Sequence, residues 1–86
     1  MRNGINEMDK LEKYLKKGFY YERFPFLDGE AIVVKTKHNI PLWHACYHSA
    51  SLGSEEGLLE VRGKALFGDH EIEGHMAASD IIEYME

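Results

Sequence analysis

The chain has 86 residues, 44% of them hydrophobic and 29% charged, which is the balance of one small globular domain and excludes a disordered or collagen-like segment. Ten lysines and arginines against fifteen aspartates and glutamates leave a formal charge of −5, which speaks against a surface built as a whole for nucleic-acid phosphate. The single Cys46 excludes an intramolecular disulfide and fits a reducing compartment, and no apolar run approaches the roughly 20 residues of a membrane-spanning helix.

Residues 1–7 read as a flexible leader without the apolar stretch of a signal peptide, so a cytoplasmic location is expected. Met8, a candidate second start, opens a single α+β domain over residues 8–86. The spacing predicts a helix over Asn6–Lys17: Met8, Leu11 and Leu15 recur on one stripe, Asn6 is placed to cap, and Gly18 to supply a left-handed stop. On its outer face Asp9 with Lys13, and Glu12 with Lys16, stand at the ion-pair spacing of a helix. The period then changes to two. Phe19–Phe26 and Glu30–Lys37 read as strands joined at Asp28-Gly29, and Leu42–Ala50 as a third strand beyond the turn His38–Pro41. Ser51–Gly57 reads as a solvated loop. In the next run Leu59, Val61, Ala65 and Phe67 share one face, and Glu60, Arg62 and Lys64 the other. After a turn at Gly68-Asp69 comes a short fifth strand, with Ile72 and Met76 inward and Glu71, Glu73 and His75 outward. Asp80 is expected to open a final helix, with Glu83 at the capping-box spacing and Ile81, Ile82 and Met85 as its apolar face.

The order predicts an α+β fold: an N-terminal helix, an antiparallel meander of four to five strands and a short C-terminal helix, with both helices on one face of the sheet. The alternative is a small curled β-barrel with flanking helices, since glycines at 57, 63 and 74 could bend the strands that far. The expected core is Leu11, Leu15, Ile32, Val34, Leu59, Val61, Phe67, Ile72, Ile81 and Met85.

Two patterns could carry chemistry. On a strand, His44, Cys46 and His48 share a face, and imidazole with thiolate suits zinc or a nucleophile pair. Yet three ligands without a Cys-x-x-Cys frame fall short of a closed zinc site, and strand neighbours about 7 Å apart are too far for a catalytic hydrogen bond. A small metal-binding or cysteine/histidine catalytic domain is therefore the alternative reading, and Cys46 as a buried, unreactive thiol is the preferred one. His70 and His75 among Asp69, Glu71 and Glu73 form at most a weak open cation site.

The second pattern is charge. Residues 1–37 hold eight basic and six acidic side chains, a net +2; residues 38–86 hold two basic and nine acidic, a net −7. From Ala65 onward there are six acids, Asp69, Glu71, Glu73, Asp80, Glu83 and Glu86, and no lysine or arginine. An ordered acidic tract without interleaved cations can present carboxylates to a basic partner. The expectation is a non-enzymatic acidic protein–protein interaction module or inhibitor that binds a basic partner protein, nucleic-acid-binding proteins being one such kind. Phage-encoded anti-CRISPR inhibitors include small acidic proteins of this kind, and only size and charge carry the likeness. No cofactor, no direct nucleic-acid contact and no membrane contact is expected.

Overall fold

The computed structural model describes residues 4–86. Its elements are helix α1 (Ile5–Leu15), strands β1 (Tyr20–Phe26), β2 (Gly29–Lys35) and β3 (Pro41–Tyr47), a 3-10 turn (Ser54–Glu56), β4 (Leu59–Arg62), the single helical turn α2 (Lys64–Phe67), β5 (Ile72–Met76) and α3 (Ala78–Met85). The five strands form one antiparallel sheet in the order β1-β2-β3-β4-β5. The sheet is open, so the barrel alternative is excluded, and the two longer helices pack on one of its faces.

In α1 the stripe Met8, Leu11 and Leu15 is fully buried, as its spacing requires. The ends differ from expectation. Gly4, not Asn6, stands at the N-cap and no side chain caps it, while Asn6 lies exposed within the first turn. The first-turn Glu7 reaches across instead and accepts a hydrogen bond from the Ala78 amide at 2.8 Å, which joins the N-terminal ends of α1 and α3. Gly18 is not left-handed; the helix closes with Lys16 still helical and the Phe19 amide donating to the Leu15 carbonyl at 2.9 Å. Residues 1–3 of the expected leader lie outside the described residues, and residues 5–7 belong to α1.

The β1–β2 hairpin turns at Leu27-Asp28, one residue earlier than expected, and Leu27 takes the left-handed conformation with φ 54°. Gly29 is needed for a different reason: a Cβ there would lie 1.9 Å from the Tyr47 carbonyl oxygen. The β2–β3 turn is built on Thr36, whose hydroxyl oxygen accepts from the His38 and Ile40 amides at 3.2 and 3.3 Å. Pro41 opens β3, the strand position where a missing donor costs least.

The run after Leu59 is where alternation misleads. The strand stops at Arg62, because Gly63 turns the chain with φ 147° against Trp43, and residues 64–67 coil into α2. Ala65 is consequently exposed and Phe67 only partly buried, rather than both lying in a strand's inner row. In β5, Met76 faces Leu59 but Glu73 faces Val61, so three residues span what two span on β4. The extra residue falls at His75, whose φ is 55°. It puts Met76 in the core and Ile72 on the far side, 44% exposed, so Ile72 is not a core residue. The loop 51–57 is not simply solvated either, since Ser51, Gly53, Ser54 and Gly57 are buried in it. Asp80 does not begin α3; it is the third residue, and its Oδ2 accepts from the Ala77 amide at 3.1 Å.

The core between helices and sheet holds Met8, Leu11, Leu15, Ile32, Val34, Leu59, Val61 and Ile81, joined by Trp43, Ala45, Tyr47, Met76 and Ala78. Met85 and Phe67 pack at its margin. Leu59→Ala is expected to cost about 2–5 kcal/mol, the usual range for a fully buried leucine, measured as a loss of unfolding free energy in denaturant. Gly63→Ala should destabilise as strongly, because its Cβ would stand 2.2 Å from that of Trp43 at a φ hostile to L-residues. A melting curve like the parent's for either variant would contradict this register.

Candidate interaction face

The sheet and α3 bring part of the acidic tract together. Glu73 of β5 and Asp80 and Glu83 of α3 line one depression of about 200 Å³, with Gly74, His75, Met76 and Tyr84 completing its wall. Tyr84 is 47% exposed, so an aromatic surface stands among these carboxylates. Asp69 is tied to the same region through His70, which lies 2.5 Å from Asp69 Oδ1 and 2.9 Å from Glu73 Oε1. Glu86 is exposed at the end of α3. Glu71 is placed elsewhere: it precedes β5 and lines a groove of about 330 Å³ on the helix-free side, with Val33, His44, Arg62 and Ile72.

Among the described residues, none lining the acidic depression is a lysine or arginine. The positively ionisable groups beside its acids, among the described residues, are His70 and, paired with Glu56 at 2.5 Å, His75. The last turn of α3 carries Glu83 and no basic residue, although the helix dipole there favours cations. The acids of the first half are differently occupied. Arg23 takes Asp9, Glu12 and Glu30, and Lys35 takes Glu22. The helix pairs expected between Asp9 and Lys13 and between Glu12 and Lys16 are not formed.

The other candidate lies on the helix-free face. His44 and Cys46 do share it, opposite Val33 and Ala31 of β2 and Arg62 and Glu60 of β4. Cys46 is 2% exposed. Burial, with the nearby Glu60 charge, pushes its thiol up to about 11, the opposite of a nucleophile's shift. Burial also pushes the His44 imidazole below its usual value, with Arg62 adding to the effect. His48 lies just past β3, with its Nδ1 accepting from the Ala50 amide at 3.2 Å and its ring edge-on to Phe26. Among the described residues no three histidine, cysteine or acidic side chains converge as metal ligands.

Glu60 shows what sequence reading missed. It is 6% exposed, and its Oε1 accepts from the Leu52 amide and its Oε2 from Arg62 Nε, both at 2.9 Å. Burial opposes its charge, but the Leu52 donor and the Arg62 guanidinium outweigh it and hold the carboxyl below its ordinary 4.5. The loop 48–57 is thereby fastened over one end of the helix-free face. A buried glutamate flanked by Leu59 and Val61 leaves no pattern in sequence, because alternation alone assigns it to solvent.

No protein-family model, curated protein or solved structure matches the chain. The class it defines is a two-layer α+β protein with a five-stranded antiparallel meander and an acidic, aromatic-bearing face at the β5 end.

Two outcomes follow from these environments. Native protein at neutral pH should react slowly with a thiol reagent at Cys46 and quickly once unfolded; fast native labelling would contradict its burial. Glu7, Glu30 and Glu60 all have lowered carboxyl values, so their stabilisation is complete above the unfolded value and lost as pH falls through the folded ones. Unfolding free energy should therefore drop on acidification below about pH 4.5. Glu60→Gln should flatten part of that drop, and an acid limb unchanged in this variant would contradict the role of Glu60.

Proposed function

We propose that this protein is a non-enzymatic interaction module whose β5–α3 face binds a basic surface of a partner protein. The observation that carries the reading is the depression in which Glu73, Asp80 and Glu83 meet the half-exposed Tyr84 ring with no lysine or arginine among the described residues of its wall. Asp80 serves the first turn of α3, but Glu83 stands in its last turn, where the dipole opposes a negative charge, so its place beside the other carboxylates does not help the chain fold. A lysine or arginine from a partner relieves that repulsion and can lie against the aromatic face as well, where a cation gains roughly 0.5–1 kcal/mol at an exposed site. Such a face speeds encounter with a basic partner and loses affinity as salt rises. Proteins that hold nucleic acid present such basic surfaces, and occupying one would make this protein an inhibitor.

The test is calorimetric titration with a synthetic arginine-rich peptide at low and moderate salt. Glu83→Gln combined with Glu86→Gln removes two acids that make no side-chain ion pair. The pair should leave melting temperature equal or higher and weaken binding about tenfold, the size of two exposed charge pairs at roughly 0.7 kcal/mol each. Glu71→Gln, on the other side of β5, should leave the affinity unchanged. Undiminished binding by the double variant at low salt would overturn the proposal.

A further inference from the structure

His70 sits between α2 and β5 with both ring nitrogens engaged. Nδ1 is 2.5 Å from Asp69 Oδ1 and Nε2 is 2.9 Å from Glu73 Oε1. Carboxylates only accept hydrogen bonds, so an imidazole that satisfies both must donate from both nitrogens, and that is the imidazolium. The same ring lies parallel to Phe67, with centroids 4.4 Å apart, and Phe67 meets Tyr84 of α3 edge-on at 4.9 Å. One protonated ring thus joins the bend 68–71, β5, α2 and, through Phe67, α3. The charged groups that face it are Asp69 on its own segment and Glu73 on β5; α2 carries Lys64, and Asp80, Glu83 and the Glu56-paired His75 line the depression that Glu73 and Tyr84 share.

We propose that His70 is a proton-operated fastener: protonated, it holds the bend 68–71 and the Phe67–Tyr84 pair against β5 and α3, and deprotonated, it releases one carboxylate and removes a positive charge from beside the acidic face. The hydrogen bond to Asp69, with Glu73 adding to it, raises the ring's pKa above the usual 6.5. A raised folded value means the stabilisation is complete below the unfolded value and lost as pH rises through the folded one. The effect on partner binding rests on the function proposed above; the fastener itself does not.

The test follows the His70 ring by NMR across neutral pH on the full chain. The ring should titrate above a free histidine, and the amides of residues 68–73 and the Tyr84 ring should shift with the same midpoint. Glu73→Gln should lower that midpoint. In His70→Gln the part of the Tyr84 and bend shifts that follows the His70 midpoint should vanish, leaving for Tyr84 only what His75 beside it contributes. A His70 midpoint at or below that of free histidine, or a bend and Tyr84 indifferent to it, would overturn the fastener. Titration of an arginine-rich peptide across the same range separates the two ideas. With the NMR signature present, affinity that rises with pH and does so less in His70→Gln supports regulation of the face. With that signature present, a peptide that binds at no pH overturns the proposed function and leaves the fastener standing.

Discussion

The guanidinium of Arg23 fixes how the two layers sit on one another. It reaches from β1 to Asp9 and Glu12 of α1 at 2.7 and 2.9 Å, and to Glu30 of β2 at 2.6 Å. Glu30 also accepts from the Tyr47 hydroxyl at 2.8 Å, and Glu12 from that of Tyr21 at 3.0 Å. Apolar burial drives α1 onto the sheet, but burial is non-directional and would accept several positions of the helix. The fork of one arginine, with its side chain 16% exposed, selects the position that satisfies three carboxylates at once. Burial works against the charge of Arg23, and the bonds to Glu30, Asp9 and Glu12 more than offset it. Those bonds also hold the Glu30 carboxyl below its ordinary value, with Arg23 as the largest cause.

This network sorts the charge of the whole molecule. Arg23 and Lys35 draw the acids of α1, β1 and β2 into pairs at the β1 side of the sheet. The meander places β5 at the opposite edge, four strands away, where, among the described residues, Asp69, Glu73 and Glu56 form their ion pairs with histidines. A strict meander cannot mix its first and last strands, so a charge division along the chain becomes a charge division across the fold. The interaction reading depends on that conversion, and it would have failed on a topology that returned β5 beside β1.

Much of this was legible in the sequence where one period dominated. The stripe Met8, Leu11, Leu15 set α1, and the alternation around Ile32 and Val34 set β2, because each buries one face against a single neighbour. Reading failed where a glycine or a left-handed residue broke the period from inside. Gly63 ended β4 before Ala65 and Phe67 could continue it, and His75 shifted the parity of β5, which exchanged the expected places of Ile72 and Glu73. The acidic tract was visible as composition. That Glu73, Asp80 and Glu83 would meet Tyr84 was invisible, because it depends on that same one-residue shift; Glu71 is set apart because it lies before β5 begins. Trp43, Ala45 and Tyr47 are core that alternation alone does not assign, because β3 carries apolar or buried side chains on both faces, Cys46 among them on the other.

The most direct measurement is an NMR titration of isotopically labelled protein with an arginine-rich peptide at low salt, repeated as salt is raised. Resonance changes should concentrate on Glu73, Asp80, Glu83 and the Tyr84 ring, leave α1 and β1 nearly unmoved, and fade with salt. Changes centred on the helix-free groove around His44 and Ile72, or spread evenly over the surface, would contradict the claim that the β5–α3 face is built to receive a basic partner.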